Sequence, residues 1–232
     1  PTPARQNGCL AAHCHAAGRA FFVREDGSMW PADVDSLIAF QQELADAAPE
    51  SWRPRHGRLR IGGCWVCFRR GLTGRGSADD PAWAAALVMC DGEVVDQRIG
   101  TGVAGAPYIR GLLALRIGGL MEQAMRGLAT RPDVLLIDAT GRDHPRRAGL
   151  ALHLGAQLGM PTVGITHRPL VAEGEWPGDR RGATSPLRIG DTVVGCWMRT
   201  QPGARPLVVH PGWRVDLATA VEVVAGASAQ RR

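Results

Sequence analysis

The chain has 232 residues, a formal charge of +5 and 45% hydrophobic residues. Its 27 basic residues are all arginine. That excludes Schiff-base lysine chemistry, the P-loop and the lysine that anchors ATP in kinases. The composition is that of a folded chain with ample core. No apolar run reaches the roughly 18 residues of a membrane span, and the start shows no secretory pattern, so a soluble, cytoplasmic protein is expected. A pI near 9.3 suits a polyanionic partner, because the planar arginine fork bonds two phosphate oxygens at once.

Residues 1–30 have no clean periodicity and read as a leader or peripheral segment, with one domain over 31–232. From Asp33 a helix is predicted, with Val34, Leu37, Ile38, Leu44, Ala45 and Ala48 on one face. Pro49 and Pro54 end it. Three strand-like stretches follow, over 59–68, 83–90 and 93–101. Asp91-Gly92 joins the last two as a hairpin turn. A helix over 111–129 carries the stripe Leu113, Ile117, Leu120, Ala124 and Leu128. The short apolar run Asp133 to Asp138 reads as a buried strand closed by a carboxylate. A helix at 146–158 and a buried strand from Pro161 to Ile165 come next. Residues 188–199 and 206–210 read as late strands, and 216–225 as a final helix. Meandering strands followed by strand–helix alternation predict an α/β mixed sheet with helices on both faces. Functional groups in such sheets gather at the carboxyl ends of central strands, the position of Asp138.

Cys64, Cys67, Cys90 and Cys196 lie in apolar segments and read as buried small hydrophobes. Cys64-Trp-Val-Cys67 is not expected to be a redox or zinc pair, because residues three apart on a strand point to opposite faces. Cys9, His13, Cys14 and His15 cluster within the leader, where metal binding is not the favoured reading.

Two segments resemble the endonuclease V family. Pro107-Tyr-Ile-Arg-Gly-Leu-Leu-Ala-Leu-Arg116 is similar to the family's Pro-Tyr-Ile-Pro-Gly-x-Leu-x-Phe-Arg-Glu. The block Asp138-Ala-Thr-Gly-Arg-Asp-His-Pro-Arg-Arg147, continuing to Gly155, is similar to Asp-Gly-x-Gly-x-x-His-Pro-Arg-x-x-Gly-x-Ala-x-His-x-Gly. Pro161 to Ile165 and Pro211 to Ala220 fall in register too, so the resemblance spans about residues 33 to 225. It implies a ribonuclease H-like fold. It also implies Mg²⁺-dependent cutting one bond beyond a deaminated purine, chiefly inosine. Tyr108, Ile109, Gly111, Arg116, His144 and Arg146 are then candidate substrate contacts.

The implied catalytic set is largely absent. The family's first-strand Asp is assigned to Cys64, its Glu after Phe-Arg to Ile117, its Lys to His167 and its last His to Trp213; Asp138 alone is kept. Mg²⁺ requires several hard oxygen ligands, and a two-metal cut needs carboxylates on both ions. Asp138 alone makes an incomplete metal site, so no cofactor is expected. Three readings stand. The first is a nucleic-acid-binding relative without metal-dependent cleavage. The second is a small-molecule enzyme in which Cys64, His167 and Asp138 act as nucleophile, base and orienting group. The third is an active endonuclease whose ligands come from elsewhere, such as Asp91, Asp143 or His210.

Overall fold

The computed structural model describes residues 30–31, 33–54 and 57–229. The order of elements is α1 (Val34–Asp46), β1 (Arg60–Phe68), β2 (Pro81–Cys90), β3 (Glu93–Val103), α2 (Leu113–Arg126) and β4 (Val134–Ile137). Then come α3 (Leu150–Leu158), β5 (Thr162–Thr166), β6 (Thr184–Ile189), β7 (Thr192–Met198), β8 (Leu207–Pro211) and α4 (Leu217–Ala229). The strands form one eight-stranded sheet in the order β3-β2-β1-β4-β5-β8-β7-β6. β1, β4 and β5 run parallel and the other neighbours antiparallel. The mixed α/β architecture therefore matches expectation.

Helices cover both faces. On one, α1, α2 and α3 bury Leu37, Ile117, Met121 and Leu154 against Cys64, Ala84, Ala86, Leu135 and Ile137. On the other, α4 sets Ala220, Val223 and Val224 against Val134, Val163, Cys196 and Val209. Asp33 caps α1 by accepting from the Ser36 amide at 2.8 Å. Val34 faces solvent rather than joining the α1 stripe; the buried positions are Leu37, Gln41 and Leu44. Among the described residues, no helix is long and apolar enough to cross a membrane.

The β2–β3 turn has positive φ at both Asp91 (52°) and Gly92 (84°), as a tight hairpin with the sheet's twist requires. α3 begins at Leu150 and not near 146, since Arg147 takes a left-handed φ of 58° that ends any helical run there. The 188–199 stretch is two strands joined at Gly190, the first starting at Thr184. Trp30, expected in a peripheral segment, is buried and stacks on His153 with ring centroids 4.2 Å apart. The Cys9–His15 cluster lies outside the described residues.

Candidate functional site

Parallel β1, β4 and β5 point their carboxyl ends the same way, with Asp138 directly after β4 and β1 running four residues beyond its last pairing with β4 to Phe68. The turn after Asp138 presses onto the neighbouring strands. A Cβ on Gly164 would lie 2.2 Å from the Ala139 carbonyl oxygen, and one on Gly141 would lie 2.1 Å from that of Pro211. Only glycine permits this close approach. Asp138 keeps an open side to solvent. Partial burial raises its carboxyl above the ordinary range, and the nearby His167 works in the opposite direction. Asp138 and His167 thus influence each other electrostatically, but no hydrogen bond or ion pair joins them among the described residues.

Cys64 is not brought to them. Its register partner is Ile137, and both belong to the core under α2. The Cys64 thiol donates to the Met121 carbonyl oxygen at 3.7 Å, and burial pushes its pKa up to about 12. A thiolate nucleophile at neutral pH is therefore disfavoured. Cys67 is exposed and Cys90 only partly buried, against the expectation that all four cysteines are buried; with Cys64 buried, the exposure of Cys67 agrees with opposite faces for that pair. In the native protein Cys67 should alkylate first and Cys64 only on unfolding, as peptide mapping after timed labelling would read. Faster labelling of Cys64 would contradict the buried assignment.

The β1–β4 pairing ends at Cys64 and Ile137, and Asp138 follows in a tight turn in which the Ala139 amide donates to the Ile137 carbonyl oxygen at 2.8 Å. The next residue of β1 is Trp65, on the face opposite Cys64. Trp65 is 55% exposed. Alternation shows that residues 64 and 65 face opposite ways; only the packing under α2 shows that Cys64 is on the buried side.

The remaining candidates separate into exposed and structural groups. Tyr108 and Ile109 are exposed at a tip before α2. Gly111, with φ of 81°, ends that tip, and its carbonyl oxygen is a hub. It accepts from Gln41 Nε2 at 3.1 Å, His144 Nε2 at 3.0 Å and Arg146 Nη2 at 2.8 Å. His144 is buried and neutral, its pKa lowered to about 4 chiefly by burial. Its Nδ1 accepts from the Arg146 amide at 3.2 Å, so Nε2 carries the proton. The Arg146 guanidinium also donates to Gln41 Oε1. These two residues hold the tip in place from behind.

Arg116, expected to contact substrate, is 6% exposed and fully engaged within the fold. It pairs with Asp80 at 2.8 Å and donates to the Ser77 and Ala106 carbonyl oxygens at 2.9 and 2.6 Å. Its guanidinium also lies 4.2 Å from the centre of the Phe68 ring. Ile117 is core, and Trp213 packs with Leu44 and Ala148.

Among the described residues, no group of three or more His, Cys, Asp or Glu side chains could hold a metal. The three substitute ligands are committed elsewhere. Asp143 accepts from the Leu170, Val171 and Ala172 amides at 2.6, 2.8 and 2.7 Å. His210 Nε2 is engaged with Thr166 Oγ1 at 2.9 Å. Asp91 pairs with Arg58, on the β2–β3 hairpin turn.

The endonuclease V family pattern matches residues 60–232. The chain belongs to the endonuclease V family. It is 38% identical over 198 residues to endonuclease V of Roseiflexus sp. strain RS-1, covering 84% of each chain. It is also similar to the crystal structure of Streptomyces avermitilis endonuclease V, with a TM-score of 0.76, 34% identity and 86% of each chain covered. A more distant endonuclease V, from Ciona intestinalis, was crystallised with a 24-mer DNA containing an inosine followed by a ribo-adenosine. That structure superposes with a TM-score of 0.64 at 20% identity, covering 83% of this chain and 88% of that one. The fold is thus the ribonuclease H-like fold of the endonuclease V family.

Proposed function

We propose that this chain recognises nucleic acid carrying a deaminated base such as inosine, and does not cut it by the family's metal-dependent route. The observation that carries this reading is the surroundings of Asp138. The β1 strand that pairs with β4 up to Ile137 continues into an indole, Trp65; the charged neighbour acting on Asp138 is the His167 imidazole; and the α2 position that the family resemblance assigns to a second carboxylate is buried Ile117. Neither indole nor isoleucine supplies a hard oxygen, and one carboxylate cannot hold two ions against attacking and leaving oxygens. Family membership, the exposed Tyr108–Ile109 tip and the basic charge support retained recognition. On this reading Tyr108 and Ile109 contact the strand beside the altered base, while Gly111, His144 and Arg146 fix the tip that presents them.

The test pairs cleavage with binding. Inosine-containing strands incubated with Mg²⁺ or Mn²⁺ should be cut roughly a thousandfold or more slowly than by a family member that keeps its carboxylates, given that outer-shell losses alone cost about 10–100-fold. The same strands should still bind at moderate salt, and Tyr108→Ala should weaken that binding. Robust cutting one bond beyond inosine would overturn the loss of cleavage. Binding that ignores both inosine and Tyr108 would overturn the recognition.

A further inference from the structure

We infer that the open face of β1–β2–β3 is a base-stacking platform for single-stranded nucleic acid, built on Trp65 and Trp83; this rests on the nucleic-acid reading above. Trp65 lies opposite Ala85 and Trp83 opposite Cys67, so the two indoles are diagonal neighbours on one sheet face. Such neighbours are about 7–8 Å apart, within mutual reach of aromatic side chains. The face continues onto β3, where Ile99 lies opposite Ala85. Trp65, Trp83 and Ile99 are 55%, 41% and 69% exposed. The α4 cluster lies over the β4, β5, β7 and β8 side of this face. Contiguous exposed apolar surface of this kind marks an interaction site, unlike single scattered residues.

Charge selects the occupant. At the carboxyl ends of the parallel strands, β1 runs directly into Arg69 and Arg70, and β5 into His167 and Arg168. All three arginines are exposed, and none is ion-paired within the described residues. A second copy docked here would bring two such clusters towards each other. A phosphate backbone along this edge would neutralise them while its bases lay on the indoles. Aromatic faces with a flanking cationic track are the general means of holding single strands with little sequence preference.

The test measures fluorescence anisotropy of labelled single-stranded DNA and RNA, of mixed sequence and with inosine, against the full chain. W65A and W83A should each weaken binding about 5- to 150-fold. W65F and W83F should keep most of it. Both indoles are exposed, so the alanine variants should melt with the parent, and the salt dependence should be unchanged because no phosphate contact is lost. Parent-like affinity in both alanine variants would overturn the platform while leaving the nucleic-acid reading intact. Failure of the parent to bind any strand would overturn both. A shift from dimer to monomer in sedimentation, with affinity for strands unaltered, would make the face a self-interface and overturn the platform.

Discussion

Lowering the pH from 7 to 5 is expected to remove roughly 4–6 kcal/mol of folding stability. Three histidines are buried and neutral: His144 with its pKa lowered to about 4, His153 to about 3 and His210 to about 4. Burial is the main cause at each. Unfolded, each would titrate near 6.5. Because the folded values lie lower, the unfolded chain binds more protons between about pH 6.5 and 4, and stability rises with pH across that window. The contribution is fully present above pH 6.5 and is lost as the pH falls towards the folded values. Each group contributes at most about 1.4 kcal/mol per pH unit. Total domain stability is usually about 5–15 kcal/mol, so a loss of this size approaches global unfolding. The arginine-paired carboxylates Asp80, Asp133 and Asp216 have lowered pKa values, so their loss falls below this window. Urea titrations at pH 7, 6 and 5 would measure the effect. Equal stability at pH 7 and pH 5 would show that these imidazoles can be protonated within the fold.

The second large effect concerns Ile117→Glu, which returns a carboxylate to α2. Ile117 is 8% exposed and packs in the core with Cys64, Met121 and Ile137. Arg116 beside it is already committed to Asp80 and two carbonyl oxygens. A glutamate there would be a buried charge without a partner, at a cost on the order of 3–5 kcal/mol. Chemical denaturation at pH 7.5 would read the loss, and Ile117→Gln should fall between parent and glutamate. A neutral result would mean that the new carboxylate reaches solvent. The family's metal position would then be open rather than closed by packing.

Local signals carried most of the fold. Asp91-Gly92 marked its hairpin, the apolar spacing of α2 marked a buried helix face, and the run before Asp138 marked a central strand. The start of β6 was harder, because Pro186 breaks the strand pattern ahead of Arg188; its position at the sheet's edge is what tolerates the proline. For the site, the motif residues were legible and their partners were not. Nothing near Arg116 in the chain announces Asp80 or Phe68, which reach it only through the fold. Cys64 and Trp65 are adjacent, and only the packing of α2 shows which of them is buried. Local pattern reports alternation, whereas long-range packing assigns the faces.

The Gly111 carbonyl oxygen also sets an order of events. Its donors Gln41 and Arg146 lie 70 and 35 residues away along the chain, on opposite sides of it. The segment that presents Tyr108 therefore has no purely local route to its final shape. It takes that shape only once α1 has docked from one direction and the turn before α3 from the other. Contacts of such span are slow to close. The Tyr108–Ile109 tip should be among the last parts of the protein to become ordered during folding and the first to loosen when α1 is displaced.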